Sequence, residues 1–266
     1  MSRTRQRAFS DDDYDRLHQV WPQLFPTMPT LEQDWQQVAT ACALTRDFAV
    51  INGGPGTGKT YTVARLLLAL QAASDKPLTI KLAAPTGKAA QRLTESVSNS
   101  LHAISGDSIE GIKQRIVTEA STLHRLLGMR PFSIKPKHHS DNLIHCDVLI
   151  IDEASMIDIS LMAKLMRALS PSARLILLGD SQQLASVESG AVLANLSDEQ
   201  QGQFSAEFSE QFPELDIPVK ENSTPSTLLN SFVRLQHSYR FDKDSAIGQL
   251  AKQVNEGDVL AALALL

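Results

Sequence analysis

Unbroken apolar runs, rather than alternating ones, mark the middle of the chain. Phe48-Ala49-Val50-Ile51, Val148-Leu149-Ile150-Ile151 and Leu175-Ile176-Leu177-Leu178 each place four apolar residues in a row before a polar turn. Such runs are the pattern of strands buried on both faces of a parallel sheet. Residues 78–84 (LTIKLAA) form a further predicted strand and Phe232-Val233-Arg234-Leu235 a last one. Between them the period changes to that of a helix. Val63, Leu66, Leu67 and Leu70 follow the first strand, and Leu93 and Val97 lie on a helix running from Ala89. Trp35, Val38, Ala39, Cys42 and Ala43 share one face of a helix over 31–46, with Thr30 as its candidate cap. Helical spacing also recurs through Ile109, Ile112, Ile116 and Val117, and over 245–254. Strands alternating with helices predict an α/β domain with a mainly parallel sheet flanked by helices.

Around that body the pattern weakens. Residues 1–30 are polar and punctuated by Pro22, Pro26 and Pro29, and read as an extension and linker. Leu17, Val20, Trp21, Leu24 and Phe25 suit a short peripheral helix within it. The domain proper is expected over 31–266. Residues 197–227, rich in Gln, Ser and Glu, read as an acidic surface excursion with a short helix or two rather than as core. The final apolar stretch, 259–266, ends without a cap or polar tail, as a cut helix would.

The chemistry concentrates where strands end. Gly53 to Thr60 fit G-x-x-x-x-G-K-[ST], directly after a strand and directly before a helix, which is the context that a phosphate-binding loop requires. Gly53, Gly54, Pro55, Gly56, Thr57 and Gly58 form a turn whose backbone N–H groups can face one phosphate, at the positive end of the next helix. Lys59 would reach the β- and γ-phosphates, and Thr60 offers a hydroxyl to Mg²⁺, which takes few protein ligands. The third strand ends in Asp152-Glu153. Next to a phosphate-bound Mg²⁺, Asp152 can hold the metal through water and Glu153 can take a proton from attacking water. The fourth ends in Gly179-Asp180-Ser181-Gln182-Gln183. Polar groups at the carboxyl ends of several strands place a single cleft along that sheet edge.

Two further features have two readings each. Gln36 and Gln37 alone are solvated surface, whereas beside a phosphate loop a carboxamide can pair with adenine at the 6-amino group and N7. Pro85-Thr86-Gly87-Lys88 alone is a surface turn, whereas at a strand's carboxyl end Thr86 and Lys88 can meet a phosphodiester backbone. His124 has no Cys or His at ligand spacing, and His138-His139 reads as a solvated turn, so neither points to a metal.

Composition narrows the class. With 266 residues and 42% hydrophobic content the chain can bury a sizeable core, and its net charge of −5 excludes a surface coated in basic groups but not a local basic groove. Cys42 and Cys146 lie in apolar contexts without C-x-x-C spacing, and read as buried thiols in a reducing compartment. No apolar run approaches membrane-spanning length and the first residues lack a signal-peptide core, so the cytoplasm is expected.

INGGPGTGKT, LAAPTGKAAQRL, STLHRLLG, VLIIDEASMID, LILLGDSQQLASV and LQHSYRF together resemble, in that order, the motifs of superfamily 1 DNA helicases. The nearest resemblance is to the alpha-subunit (RecD) family of exodeoxyribonuclease V, and it covers roughly residues 31–250. It implies a RecA-like P-loop NTPase domain with the fourth strand between the first and third. The implied activity is 5′-to-3′ ATP-driven unwinding of DNA, with ATP and Mg²⁺, in a complex with partner subunits that acts on double-strand breaks. By resemblance Gln36 reads adenine, Gln183 senses the γ-phosphate and Arg240 faces it, and Thr86, Lys88, Thr122 and His124 line a single-stranded DNA path. Tyr61, the last residue of the implied nucleotide site, replaces the small residue often found there. The family also has a second motor domain, and nothing after residue 250 here could encode it. The chain is therefore expected to be a first motor domain, weakly active or inactive alone. A nucleotide-binding and subunit-docking module without catalysis is one rival reading. Another is a P-loop kinase, which would have no need of TLHRLLG or GDSQQL.

Overall fold

Six parallel strands in the order β3-β2-β4-β5-β1-β6 form the centre of the computed structural model. The structure describes residues 6–7, 9–26, 33–130, 135–181, 193, 204–219, 228–237 and 261. The strands are β1 (Phe48–Gly53), β2 (Ile80–Ala84), β3 (Ala120–Thr122), β4 (Val148–Ile151), β5 (Arg174–Gly179) and β6 (Phe232–Leu235). Every residue of β1, β4 and β5 is buried, as the continuous apolar runs require. β5 pairs with β1 on one side (Val50 opposite Leu177) and with β4 on the other (Ile151 opposite Leu177), so the fourth expected strand does lie between the first and third.

Because successive residues of a strand face opposite ways, each central strand feeds two cores. Ala49, Ile51, Ile150, Ile176 and Leu178 enter one apolar cluster with residues of α1 (Asp11–Leu24), α2 (Trp35–Thr45), α3 (Lys59–Ala73) and α4 (Gly87–Ala103). Val50, Leu149, Ile151, Leu175 and Leu177 enter the other, under α6 (Leu123–Leu126) and α7 (Ile159–Ala168). α3 is the most enclosed helix. Its residues from Thr62 to Ala73 are all buried, with α1, α2 and α4 against it. α1 presents Leu17, Val20, Trp21 and Leu24 inward and starts with a reciprocal Ser10–Asp13 capping box.

Several local expectations change. α2 begins at Trp35, not near 31, because Asp34 is the cap: its carboxylate accepts from the backbone N–H of Gln36 and Gln37 at 2.9 and 3.3 Å. The candidate cap Thr30 lies outside the described residues. Helix is limited to α5 (Glu110–Lys113) where it was expected through Val117, which is instead 64% exposed. The β-branched run Ile116-Val117-Thr118 has poor helix propensity, and four residues alone do not sustain a helix. β3 was not expected, since three half-buried residues carry no period; it forms at the sheet edge with Ala84 opposite Thr122.

The larger correction concerns the segment read as surface. Within 204–217, α8 (Ala206–Gln211) and a 3₁₀ turn (Pro213–Leu215) carry Phe204, Phe208, Phe212, Leu215 and Ile217 into the same core as α3. Phe208 stacks on Phe204 and meets Phe212 edge-on, each at a centroid distance of 5.7 Å. The Gln, Ser and Glu residues between these aromatics lower the mean hydropathy and hide a helical spacing of four. Phe208→Ala is expected to lower stability by about 3–5 kcal/mol, the usual cost of emptying a buried aromatic position. Urea unfolding measures it, and a change within about 0.5 kcal/mol would return the segment to the surface.

Candidate nucleotide site at the carboxyl edge of the sheet

β1 delivers the phosphate loop. Gly56 and Gly58 take φ of 80° and 81°, where a β-carbon is strained, and a β-carbon on Gly53 would stand 2.5 Å from the Thr57 hydroxyl. The loop folds on itself: Thr57 Oγ1 donates to the Gly54 carbonyl at 2.8 Å, and Lys59 Nζ donates to the carbonyls of Gly53 and Gly54. Thr60 is half-buried in the first turn of α3. Residues 54–61 line a cleft of about 670 Å³ that also receives Asp152 and Glu153. Asn52, unremarked in the sequence, ties the tips of β1 and β5: its amide donates to Ser181 Oγ at 2.7 Å and its carbonyl accepts from Ser181 N at 3.0 Å.

Glu153 sits just past β4 with φ 54°, a left-handed conformation uncommon for a glutamate. Backbone strain of this kind persists where the surroundings enforce it, and it clusters at functional sites. Its backbone N–H donates to Asp152 Oδ1 at 2.9 Å. Burial raises the Asp152 carboxyl above its ordinary value; the charge of Glu153 adds to this, while the Glu153 N–H and Lys59 pull it back. A desolvated carboxylate beside another, in a cleft that the half-buried Thr60 also lines, suits a hydrated Mg²⁺ that takes one or two protein oxygens. Among the described residues no three His, Cys, Asp or Glu side chains converge on one point, so the donor set does not suit an ion demanding a full protein cage.

At the far end of the loop, Gln36 is buried at 4% exposure, not solvated as its helix alone implied. Its Oε1 accepts from Arg65 Nη1 at 3.0 Å, and its Nε2 faces the Thr57 carbonyl at 3.4 Å. Arg65, 3% exposed, lies between the rings of Tyr61 and Phe25, 3.8 and 4.8 Å from their centroids, and donates to the Tyr61 hydroxyl at 2.6 Å. The sequence assigned nothing to Arg65, because an arginine four residues after a tyrosine on a helix is an ordinary surface pattern. Gln183 and Arg240 lie outside the described residues.

The four DNA candidates sit nearer the β3 edge. Thr86 Oγ1 accepts from Ala89 N, and Thr122 Oγ1 from Arg125 N, each at 3.2 Å, so both hydroxyls cap helices and retain their own protons for donation. Lys88 and His124 are exposed. A second groove of about 500 Å³ brings Gly87, Gln91, Thr122 and Arg125 together but not Thr86, Lys88 or His124. α4 separates the two grooves: Arg92, Leu93, Ser96 and Ser100 line the first, whereas Gly87, Ala90, Gln91 and Thr94 line the second. Arg92, an exposed cation facing the phosphate loop, was part of a quoted motif but had no role by itself.

A parallel sheet that brings a glycine-framed phosphate loop and a carboxylate pair into one cleft defines a P-loop nucleotide-binding domain. The chain belongs to the AAA domain family, which matches it over residues 36–189. It is a homologue of the RecD subunit of the RecBCD enzyme. Identity is 44% over 260 residues with that subunit from Haemophilus influenzae, covering 97% of this chain and 40% of that one. With the subunit from Mycolicibacterium smegmatis it is 43% over 238 residues, covering 87% and 37%. The ATP-dependent RecD2 DNA helicase of Deinococcus radiodurans is 37% identical over 148 residues, covering 56% of this chain and 17% of that one. The chain thus spans about 40% of the length of the first of these relatives.

Asp152→Asn is expected to stabilise the protein in the absence of nucleotide and divalent cation. A carboxyl raised by folding costs the folded state free energy above its folded pKa and nothing below its unfolded pKa. The gain should therefore be present at pH 7–8 and vanish as the pH falls to about 4. Thermal unfolding measures it, and a relief of about 1 kcal/mol corresponds to roughly 2–4 °C in a domain of this size. A lower midpoint for the variant at pH 7 would contradict the burial account.

Proposed function

We propose that this chain is the nucleotide-hydrolysing part of a DNA helicase subunit, moving 5′ to 3′ within an exodeoxyribonuclease V type complex at double-strand ends. The observation that carries this is the single cleft shared by the phosphate loop, Asp152 and Glu153. Homology to RecD supports the DNA-unwinding role and the partner subunits. No helix among the described residues is long and apolar enough to cross a membrane, and a cytoplasmic site of action fits an enzyme that works on DNA.

In this reading ATP lies with its phosphates on the N–H groups of residues 54–60 and its base toward Gln36 and Tyr61. Lys59, which rests on loop carbonyls here, swings to the β- and γ-phosphates, exchanging two neutral acceptors for a charged one. The Thr60 hydroxyl, and Asp152 through water, would hold Mg²⁺, which would supply neutralisation of phosphate charge when bound. Glu153 accepts a proton from water as the water oxygen bonds to the γ-phosphorus and the bond to the ADP oxygen breaks, giving ADP and phosphate. Glu153, in its left-handed backbone conformation just past β4, lines the same cleft as the phosphate loop. Gln183 and Arg240 complete the surroundings of the γ-phosphate, as the motifs GDSQQL and SYRF suggest. Thr86, Lys88, Thr122 and His124 hold the phosphodiester backbone of single-stranded DNA, away from the nucleotide.

Glu153→Gln should retain ATP affinity and lose about 10²–10⁴ in turnover, since the amide fits the same space but accepts no proton. Lys59→Ala, by contrast, should lose the affinity itself. Steady-state ATPase and calorimetric titration with a non-hydrolysable analogue separate the two, and unchanged turnover of Glu153→Gln would remove it as the base. Lys88→Ala should weaken single-strand binding about equally for all sequences and make the salt dependence shallower by about one ion. A loss confined to one sequence would contradict a backbone contact.

A further inference from the structure

The Gln36 carboxamide is held from two sides by partners of opposite and fixed polarity. A guanidinium can only donate, so the atom 3.0 Å from Arg65 Nη1 is the carbonyl oxygen. A backbone carbonyl can only accept, so the atom facing Thr57 is the amide nitrogen. Both contacts demand the same one of the two orientations that differ by a half-turn of the amide. We propose that Arg65 is a positioning residue that locks this orientation and thereby makes the site prefer adenine over guanine nucleotides. The inference rests on the reading that Gln36 meets the base.

A carboxamide has two lone pairs on oxygen and two N–H groups. Arg65 takes one lone pair and Thr57 one N–H, leaving one of each for a ligand. One acceptor and one donor side by side match the 6-amino group and N7 of adenine. Guanine presents O6 and N7, both acceptors, at the same places, so the locked carbonyl oxygen would face a lone pair. A glutamine free to turn over could instead aim its NH₂ at O6 and escape that repulsion. Discrimination therefore depends on the lock as much as on the glutamine, in the way specificity often depends on a repulsive contact.

The lock is itself built. Arg65 is clamped between Phe25 of the segment after α1 and Tyr61 of α3, with the Tyr61 hydroxyl accepting from Nη2. Burying a guanidinium to 3% exposure is costly unless it is stacked and hydrogen-bonded, and its planar fork can stack and donate sideways at once, which an ammonium cannot. Tyr61, at 36% exposure, is thus a wall of the cleft on one side and the seat of Arg65 on the other. This accounts for a bulky residue directly after the phosphate loop.

The test compares Gln36→Ala, Arg65→Met and the double variant in the full chain. Calorimetry gives the affinities for non-hydrolysable ATP and GTP analogues and for tripolyphosphate, which has no base. Gln36→Ala should narrow the ATP:GTP preference by on the order of tenfold, the worth of one two-point base contact. Arg65→Met should narrow it in the same direction, mainly through tighter GTP binding, with tripolyphosphate affinity unchanged. The double variant should match Gln36→Ala, because Arg65 acts through Gln36. An intact preference in Arg65→Met beside a lost one in Gln36→Ala overturns the positioning role and leaves the adenine reading standing. An intact preference in Gln36→Ala overturns both. Should Arg65→Met lose tripolyphosphate binding through misfolding, Tyr61→Phe removes only the hydroxyl that holds the guanidinium; a narrowed preference there supports the lock and an unchanged one overturns it.

Discussion

Everything at the candidate site depends on the strands being parallel. Six strands running one way bring all their carboxyl ends to one edge, and each end is where the apolar run must give way to groups that can meet water or a ligand. The Gly53–Thr60 loop, the Asp152–Glu153 pair and Ser181 arrive together for that reason, from well-separated positions in the chain. β5 between β1 and β4 then sets their separation. It holds the loop one strand away from the carboxylates, which leaves the cleft between them, and the Asn52–Ser181 pair fixes the tips of neighbouring strands.

What could be read from the sequence follows from how far each signal extends. Four-residue apolar runs are local and self-sufficient, so β1, β4 and β5 were legible, and the phosphate loop was legible with its flanks. The edge strand β3 was not, because it forms only through its partner: three half-buried residues become a strand once β2 offers unpaired groups beside them. Phe204, Phe208 and Phe212 were obscured by polar neighbours that face outward. The extent of α2 was misjudged because Asp34 and Thr30 are both acceptable caps in isolation, and only the fold decides between them. At the site, the acid pair and the loop were legible as residue types at strand ends. The Gln36–Arg65–Tyr61–Phe25 cluster was not, because its members come from α2, α3 and the end of α1, and only their packing makes an arginine in a helix an interior residue.

That cluster also changes what the amino-terminal helix does. Phe25 follows α1 directly, and α1 packs along α3 through Leu17, Val20, Trp21 and Leu24. Trp21 in addition donates to the Gln37 side chain at 2.9 Å and meets Phe25 at a centroid distance of 4.7 Å. α1 therefore supports both the residue beside Gln36 and the guanidinium that touches Gln36. Its packing supports the Gln36 end of the cleft rather than being an addition to the outside of the domain.

α4 separates the two grooves as a common wall of 17 residues, about 25 Å long at the rise of an α-helix. A helix of that length packed through Leu93, Val97 and Leu101 moves as a body, since sliding one part against the core would open voids along the whole interface. Arg92 lines the groove of the phosphate loop and Gln91 the other, one residue away in the chain. A displacement of this helix as a body would therefore alter both grooves together, because residues adjacent in its sequence line one groove and the other.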